Sequence, residues 1–260
     1  MEIGEIRTSI SGHTGELIAI RNAKDVDILI DGKYIREHIQ YGNFKRGRFA
    51  SRIQPRICGV GCIGEGEYVS KNPDGSHTEA YRKWHDMLMR CYREKTMEKN
   101  PLYKFVTVCD EWLNFQNFAK WFYENKIDID EEIHIDKDII AGEQKIYSPD
   151  TCCIVPKTIN ILFKRQKKVY EENKKLPVGV QKQQGCINKY KVYMHANGKT
   201  IYKGGFNSPE EAFQWYKTEK EKYIKEVTNS YKDVLPQRTY DALMNYEVKP
   251  YPFTEEELAS

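Results

Sequence analysis

Asn197-Gly198 is the feature that most restricts what this chain can fold into. Asn-Gly readily adopts the positive φ values that a two-residue hairpin turn needs, and it is the strongest short-range hairpin signal. Runs of strand composition flank it, Lys189–His195 before and Thr200–Lys203 after, and a third run at Val178–Gln183 is set off by Gly185. Ser208-Pro209-Glu210-Glu211 then announces a helix. Ser208 can cap it, Pro209 suits its first turn, and Glu211 can complete a capping box. The expectation is a three-stranded sheet with one face covered by a helix and the other free.

Alternation assigns the faces. If Tyr190, Val192 and Met194 point at the helix, Lys189, Lys191, Tyr193 and His195 point away. Gln181 and Gln183 share that outward face from the first strand, with Lys182 at its rim, and Tyr202 joins from the third. A face of Gln, Lys, Tyr and His without an acid suits the major groove of double-stranded DNA, which admits a narrow β-sheet. A solvated face of a scaffold domain has the same composition.

Gly179-Val180, Lys189-Tyr190-Lys191-Val192, the run Gly198 to Phe206 and Pro209-Glu210-Glu211-Ala212-Phe213 with Trp215-Tyr216 together resemble the AP2 (plant ERF-type) DNA-binding domain. The resemblance implies that the free sheet face enters the major groove, with Gln181, Gln183, Lys189, Lys191, Tyr193, His195 and Tyr202 as readers. Plant members carry Arg and Trp at several of these positions. This chain carries Gln, Lys and Tyr instead, so the bases recognised do not carry over.

The chain has 260 residues, a length that allows about two domains. It is 40% hydrophobic and 30% charged, so it can bury a core and stay soluble. No run approaches the ~20 apolar residues of a membrane span. Glu2 and Glu5, with no apolar segment behind them, do not make a signal peptide. Seven cysteines without regular pairing fit a reduced cytoplasm. Cys58 and Cys62, and the Cys152-Cys153 pair, find no second pair of ligands at zinc spacing, so no structural zinc is expected.

The net charge of +3 is unevenly spread. Lys33 to Arg56 holds seven Lys or Arg against one acid, and Lys157 to Lys203 holds twelve against two. Asp110 to Asp150, between them, holds eleven acids against four Lys. Two basic segments around an acidic one suit a polyanion held at two places. A charge run is also the ordinary make-up of a solvated face.

Residues 1–56 read as short strands at Glu2–Thr8, Leu17–Arg21, Val26–Ile30 and Tyr34–His38, the spacing of a small barrel or meander. Tyr41 to Phe49 follows, with Lys45, Arg46 and Arg48 interleaved with aromatics. Such a segment can grip phosphates and stack on bases, or it can be a basic loop that closes the barrel. This module resembles small SH3-like modules attached to phage HNH-type proteins. Residues 57–76 are Gly-rich but lack the Lys-Ser/Thr of a P-loop, and read as linker and turn.

Residues 77–173 form the middle segment. A helix starts at Thr78, with Tyr81, Trp84, Leu88 and Cys91 as its apolar stripe. Tyr103–Cys109 reads as a strand, and Trp112, Phe115, Phe118, Ala119 and Phe122 mark a second helix. Strand-like Ile133–Ile139, a polar loop, strand-like Thr151–Val155 and a helix from Pro156 that contains Asn160 follow. This ββα order, with Tyr81, Trp84 and the Met-Leu pair upstream, resembles bacteriophage HNH-type endonucleases, which often carry a C-terminal AP2-like domain.

The resemblance implies one Mg²⁺ or Mn²⁺ ion that stabilises the leaving oxygen of a cleaved phosphodiester, and a histidine that activates water. Asn160 matches the helix ligand and Asp138 a metal-binding acid. Asp136 falls where the base histidine is expected, with His134 two residues earlier. Either His134 serves as base in a shifted register, or Asp136 substitutes, or the segment cannot cleave. Lys164, Arg165, Lys167 and Lys168 would carry the Asn160 helix along a phosphate track.

The expected whole is an α+β protein. It comprises a small β (SH3-like) module, an HNH-like ββα domain with helical cover, an AP2-like domain over residues 174–230, and a tail over 231–260 with short helices near Pro236 and Glu255. The expected function is sequence-selective binding of double-stranded DNA by a phage protein acting in the bacterial host cytoplasm, with metal-dependent cleavage if the ββα site is active. Two alternatives are a DNA-binding regulator without catalysis and an inhibitor of a host protein complex.

Overall fold

The fold was analysed in a computed structural model, which describes residues 1–142, 144–163, 176–183, 185, 189–196 and 198–250. Helix takes 36% of the described residues and strand 26%, with antiparallel sheets, the mix of an α+β protein. Two compact units form: Met1–Lys99 with Thr107–Glu124, and Asn100–Val106 with the chain from Asn125 onward.

The first unit opens with a four-stranded antiparallel meander, β1 (Ile6–Thr8), β2 (Thr14–Asn22), β3 (Asp25–Ile30) and β4 (Tyr34–Ile39), paired in sequence order. Leu17, Val26, Ile28 and Ile30 face inward and are fully buried. The aromatics of Tyr41–Phe49 pack on the core of the meander and close it. Tyr41–Lys45 is a short helix, α1, whose Phe44 is fully buried, and Phe49 joins it in the core. A small meander has few apolar residues of its own to close on, so the aromatics are drawn inside and only Lys45, Arg46 and Arg48 remain exposed.

Thr78 caps α2 (Glu79–Tyr92), its hydroxyl accepting from the Tyr81 N–H at 3.3 Å. Of the expected stripe Trp84, Leu88 and Cys91 are buried and Tyr81 is half-buried, and Ala80 and Met87 join them in the core. α3 (Glu94–Lys99) follows. Where a strand over Tyr103–Cys109 was expected, Pro101–Phe105 forms a 3-10 turn and strand β5 is only Thr107–Val108. Pro101 at the start of that turn suits it, because its missing N–H is not needed there. Trp112 and α4 (Phe115–Asn125) supply the second apolar stripe, and the Trp84 indole donates to the Trp112 carbonyl at 2.6 Å.

The Gly-rich stretch is packed in place. A Cβ at Gly61 would lie 2.4 Å from a Leu88 methyl, and one at Gly64 would lie 2.0 Å from the Asn114 side-chain oxygen. The Gln116 amide donates to the carbonyls of Ile63 and Tyr68. These glycines serve close approach of backbone to helix, a second use of Gly besides turning.

In the second unit β6 (Ile133–Asp136) pairs antiparallel with β8 (Cys153–Pro156), placing His134 opposite Val155 and Asp136 opposite Cys153. The strand expected to run to Ile139 stops at Asp136. A helical turn, α5 (Asp138–Ala141), starts because the Asp136 carboxylate accepts from the N–H groups of Asp138 and Ile139. The short strand β7 (Ile146–Tyr147) lies between, and α6 (Lys157–Leu162) follows β8.

β9 (Val180–Lys182), β10 (Tyr190–Ala196) and β11 (Lys199–Phe206) form the expected three-stranded antiparallel sheet, with β10 central. α7 (Pro209–Ser230) covers one face, burying Ala212 and Phe213 with Val180, Val192 and Phe206. Ser208 accepts from the Glu211 N–H at 3.1 Å, and the Glu211 carboxylate accepts from the Asn207 N–H at 2.9 Å. The far end of α7 reaches Val227, which packs with the ββα core of Ile139, Val155, Ile159 and Leu243. α8 (Gln237–Met244) follows Pro236 and buries Leu243 in that core. The helix expected near Glu255 lies outside the described residues. No helix among the described residues is long and apolar enough to cross a membrane.

Candidate nucleic-acid interface

The free face of the C-terminal sheet follows the alternation read from the sequence. On β10, Val192 and Met194 are buried while Tyr193 and His195 are exposed and Lys191 is half-buried. Gln181 pairs with Lys191, so it shares the free face; Lys182 pairs with Tyr190 and stands exposed on the helix side, at the rim. Tyr193 pairs with Tyr202, and their ring centroids are 5.2 Å apart at 54°. The Lys191 ammonium lies 5.2 Å from the centre of the Tyr193 ring, a cation–π distance. His195 bonds through Nδ1 to the Thr200 hydroxyl at 3.0 Å.

Two of the expected readers have work inside the sheet. A bulge opposite Tyr190 and Lys191 leaves Gly205, at φ +87°, out of the ladder. The Gln183 side-chain oxygen accepts its N–H at 2.9 Å, strapping β9 to β11. Gln183 therefore keeps only its amide N–H groups for a ligand. Lys189 is held by the Asn207 side-chain oxygen. Gly204 lies beneath the Tyr202 hydroxyl, where a Cβ would come within 2.8 Å of that oxygen and 2.9 Å of the Gln183 oxygen. From Leu176 to Phe206 there is no Asp or Glu, so nothing on these strands repels a phosphate.

The ββα segment brings two of its four candidate residues together. His134 Nδ1 lies 2.6 Å from the Asn160 amide nitrogen, joining β6 to α6. His134 Nε2 lies 3.2 Å from Glu132 Oε1, and Lys157 donates to Glu132 Oε2 at 2.7 Å. Lys157, and after it His134, hold the Glu132 carboxyl down at about 2. With Glu132 ionised, Nε2 of His134 carries the proton, Nδ1 accepts, and the Asn160 amide donates. Both ring nitrogens are thus engaged.

The carboxylates go elsewhere. Asp136 is spent on the backbone of α5, and burial raises its pKa. Asp138 is exposed and paired with Lys137 at 2.5 Å. This arrangement does not fit the divalent metal that the resemblance implies, since a Mg²⁺ site needs converging oxygen ligands. Among the described residues, the group of three acid or histidine side chains whose ligand atoms lie within 4.8 Å of one another is Asp25, Asp27 and His38, on the N-terminal sheet. Arg21 already neutralises it, with a two-pronged bond to Asp27 at 2.9 and 2.7 Å.

No protein-family model, curated protein or solved structure matches this chain.

Lys164, Arg165, Lys167 and Lys168 lie outside the described residues. Glu132, Lys157 and Thr200 escaped the sequence reading. Thr200 could have been found, because the two-residue turn expected at Asn197-Gly198 implies the pairing with His195 that the sheet shows. Glu132 and Lys157 gave no such signal: 25 residues separate them, and only the β6–β8 pairing brings them together.

Proposed function

We propose that this protein binds double-stranded DNA, with the free face of the β9–β11 sheet in the major groove, and that the ββα segment serves as a scaffold without cleaving DNA. The observation that carries the reading is the face itself. Lys191, Tyr193, His195, Gln181 and Tyr202 project from one side of a narrow sheet free of acids, while Val180, Val192 and Phe206 hold its other side to α7. A sheet of this width fits the major groove, and Gln, Lys and Tyr can supply the hydrogen-bonding and apolar contacts that read base edges.

The scaffold reading rests on the engagement of His134, Asp136 and Asp138 described above. A nuclease of the HNH type, acting in a phage-infected cell, is the second reading, favoured by the 2.6 Å contact between His134 and Asn160 across the ββα motif.

The test is fluorescence anisotropy of the full chain on a pool of random duplexes over a range of salt. Binding that weakens as salt rises is expected. Lys191→Ala should weaken it and flatten the salt dependence by roughly one unit. Wild-type protein that ignores duplex DNA in dilute buffer sinks the proposal.

A further inference from the structure

We propose that the N-terminal unit carries an anion cleft of its own, between Arg48 and Arg56, that takes the phosphodiester backbone of a nucleic acid. The choice of nucleic acid rests on the DNA-binding reading above; the cleft itself rests on separate residues.

Residues 1–56 contain seven arginines. Four are matched to acids: Arg7 to Glu5, Arg21 to Asp27, and Arg36 and Arg52 to Glu65. Arg46, Arg48 and Arg56 have no acid partner among the described residues. All three are exposed. Arg48 and Arg56 line an open cleft of about 370 Å³ together with Ser11, Gly47 and the apolar Ile10 and Phe49. Chance scatter of charge would leave unmatched cations anywhere on the module. Here two of the three unmatched arginines line one cleft.

The fold holds them there. Phe44 and Phe49 are anchored in the core on either side of Arg46, Gly47 and Arg48. Phe49 packs so closely on β2 that a Cβ at Gly15 would lie 2.6 Å from its ring. Gly47, at φ +65°, presses against the Thr8 carbonyl, which a Cβ there would approach to 2.7 Å. The Gly47 carbonyl accepts from the Ile10 N–H at 2.9 Å. With both neighbours fixed, Arg48 has no route inward. A guanidinium fork meets two phosphate oxygens at once, which makes arginine the residue suited to this ligand. The cleft is open, so a continuous chain can pass through it.

The experiment uses the full chain and two variants, Arg48→Ala/Arg56→Ala and the charge-keeping Arg48→Lys/Arg56→Lys. Affinity for a labelled duplex is measured over a range of salt, with folding checked by thermal melting. The alanine pair should weaken binding on duplexes of every sequence and flatten the slope of log K against log salt by roughly two units. The lysine pair should keep most of the slope. Unchanged affinity and slope in the alanine pair, with wild type still binding duplex, overturns the cleft and leaves the sheet reading standing. If wild type binds no duplex, the sheet reading falls. The cleft is then decided by NMR of the arginine Nε–H signals on adding a short single-stranded oligonucleotide. Shifts confined to Arg48 and Arg56 uphold it, and none overturns it. Polyglutamate moving the same signals as strongly as the oligonucleotide also overturns it, in favour of an acidic peptide.

Discussion

Tyr193 and Tyr202 are direct cross-strand partners, and their rings lean together on the open side of the sheet, 38% and 52% exposed. Exposed tyrosine pairs contribute little to folding, roughly 0.2–1 kcal/mol per cross-strand pair. Their positions instead suit contact with sugars and thymine methyl groups. Replacing both with alanine should lower affinity for duplex DNA about tenfold or more while the melting temperature moves by only a few degrees. Anisotropy and thermal melting of the same preparation check this, and a large drop in melting temperature with unchanged affinity would reverse the assignment.

Gly204→Ala isolates the shape of that face. The added methyl would meet the Tyr202 hydroxyl and the Gln183 oxygen, both at the ends of side chains that can swing away. Stability should fall by no more than about 1 kcal/mol, while Tyr202 is displaced and the Gln183 bond to Gly205 is lost. DNA affinity should drop more than stability does. Denaturant unfolding alongside anisotropy separates the two effects.

Because His134 has both nitrogens engaged and Asp138 is paired with Lys137, the protein should leave supercoiled plasmid intact with Mg²⁺ or Mn²⁺, as it does with EDTA. Nicking that requires the metal and disappears in Asn160→Ala would establish the nuclease reading instead.

Lys220 lies on α7, where burial lowers its pKa from 10.5 to about 8. A lysine whose folded value is depressed holds fewer protons folded than unfolded between those two values. Stability therefore rises with pH across that window, and the cost of the buried charge is fully present below about 8. Lys220→Met should raise stability at pH 7 by up to about 3 kcal/mol, the equivalent of that shift. The gain should shrink from pH 8 upward and vanish near 10.5. Urea unfolding of both proteins at pH 7 and pH 9.5 measures it, and a gain independent of pH would mean that packing, not charge, is responsible.

Much of the C-terminal sheet was legible because its signals are local. The turn expected at Asn197-Gly198 fixes the register in which Tyr193 pairs with Tyr202, and alternation then decides which side chains face α7. The Thr78 and Ser208 caps were equally legible, since a cap depends on residues three apart. The strand expected through Ile139 was misread because Ile139 and Ile140 look like strand residues. Nothing in their composition shows that Asp136 turns its carboxylate onto the next backbone amides and winds the chain into a helix.

The chain's order of residues determined by itself the helix starts at Thr78 and Ser208 and which face of the C-terminal strands is apolar. Those properties depend on φ preferences and on side chains a few residues apart. Only the tertiary structure decided that Gln183 serves as a strap, that Phe44 and Phe49 turn inward and leave Arg46 and Arg48 outside, and that His134 meets Asn160 and Glu132. Each of these depends on which distant backbone comes within hydrogen-bonding or packing reach. That is settled by closing the cores, a condition no short window of sequence contains.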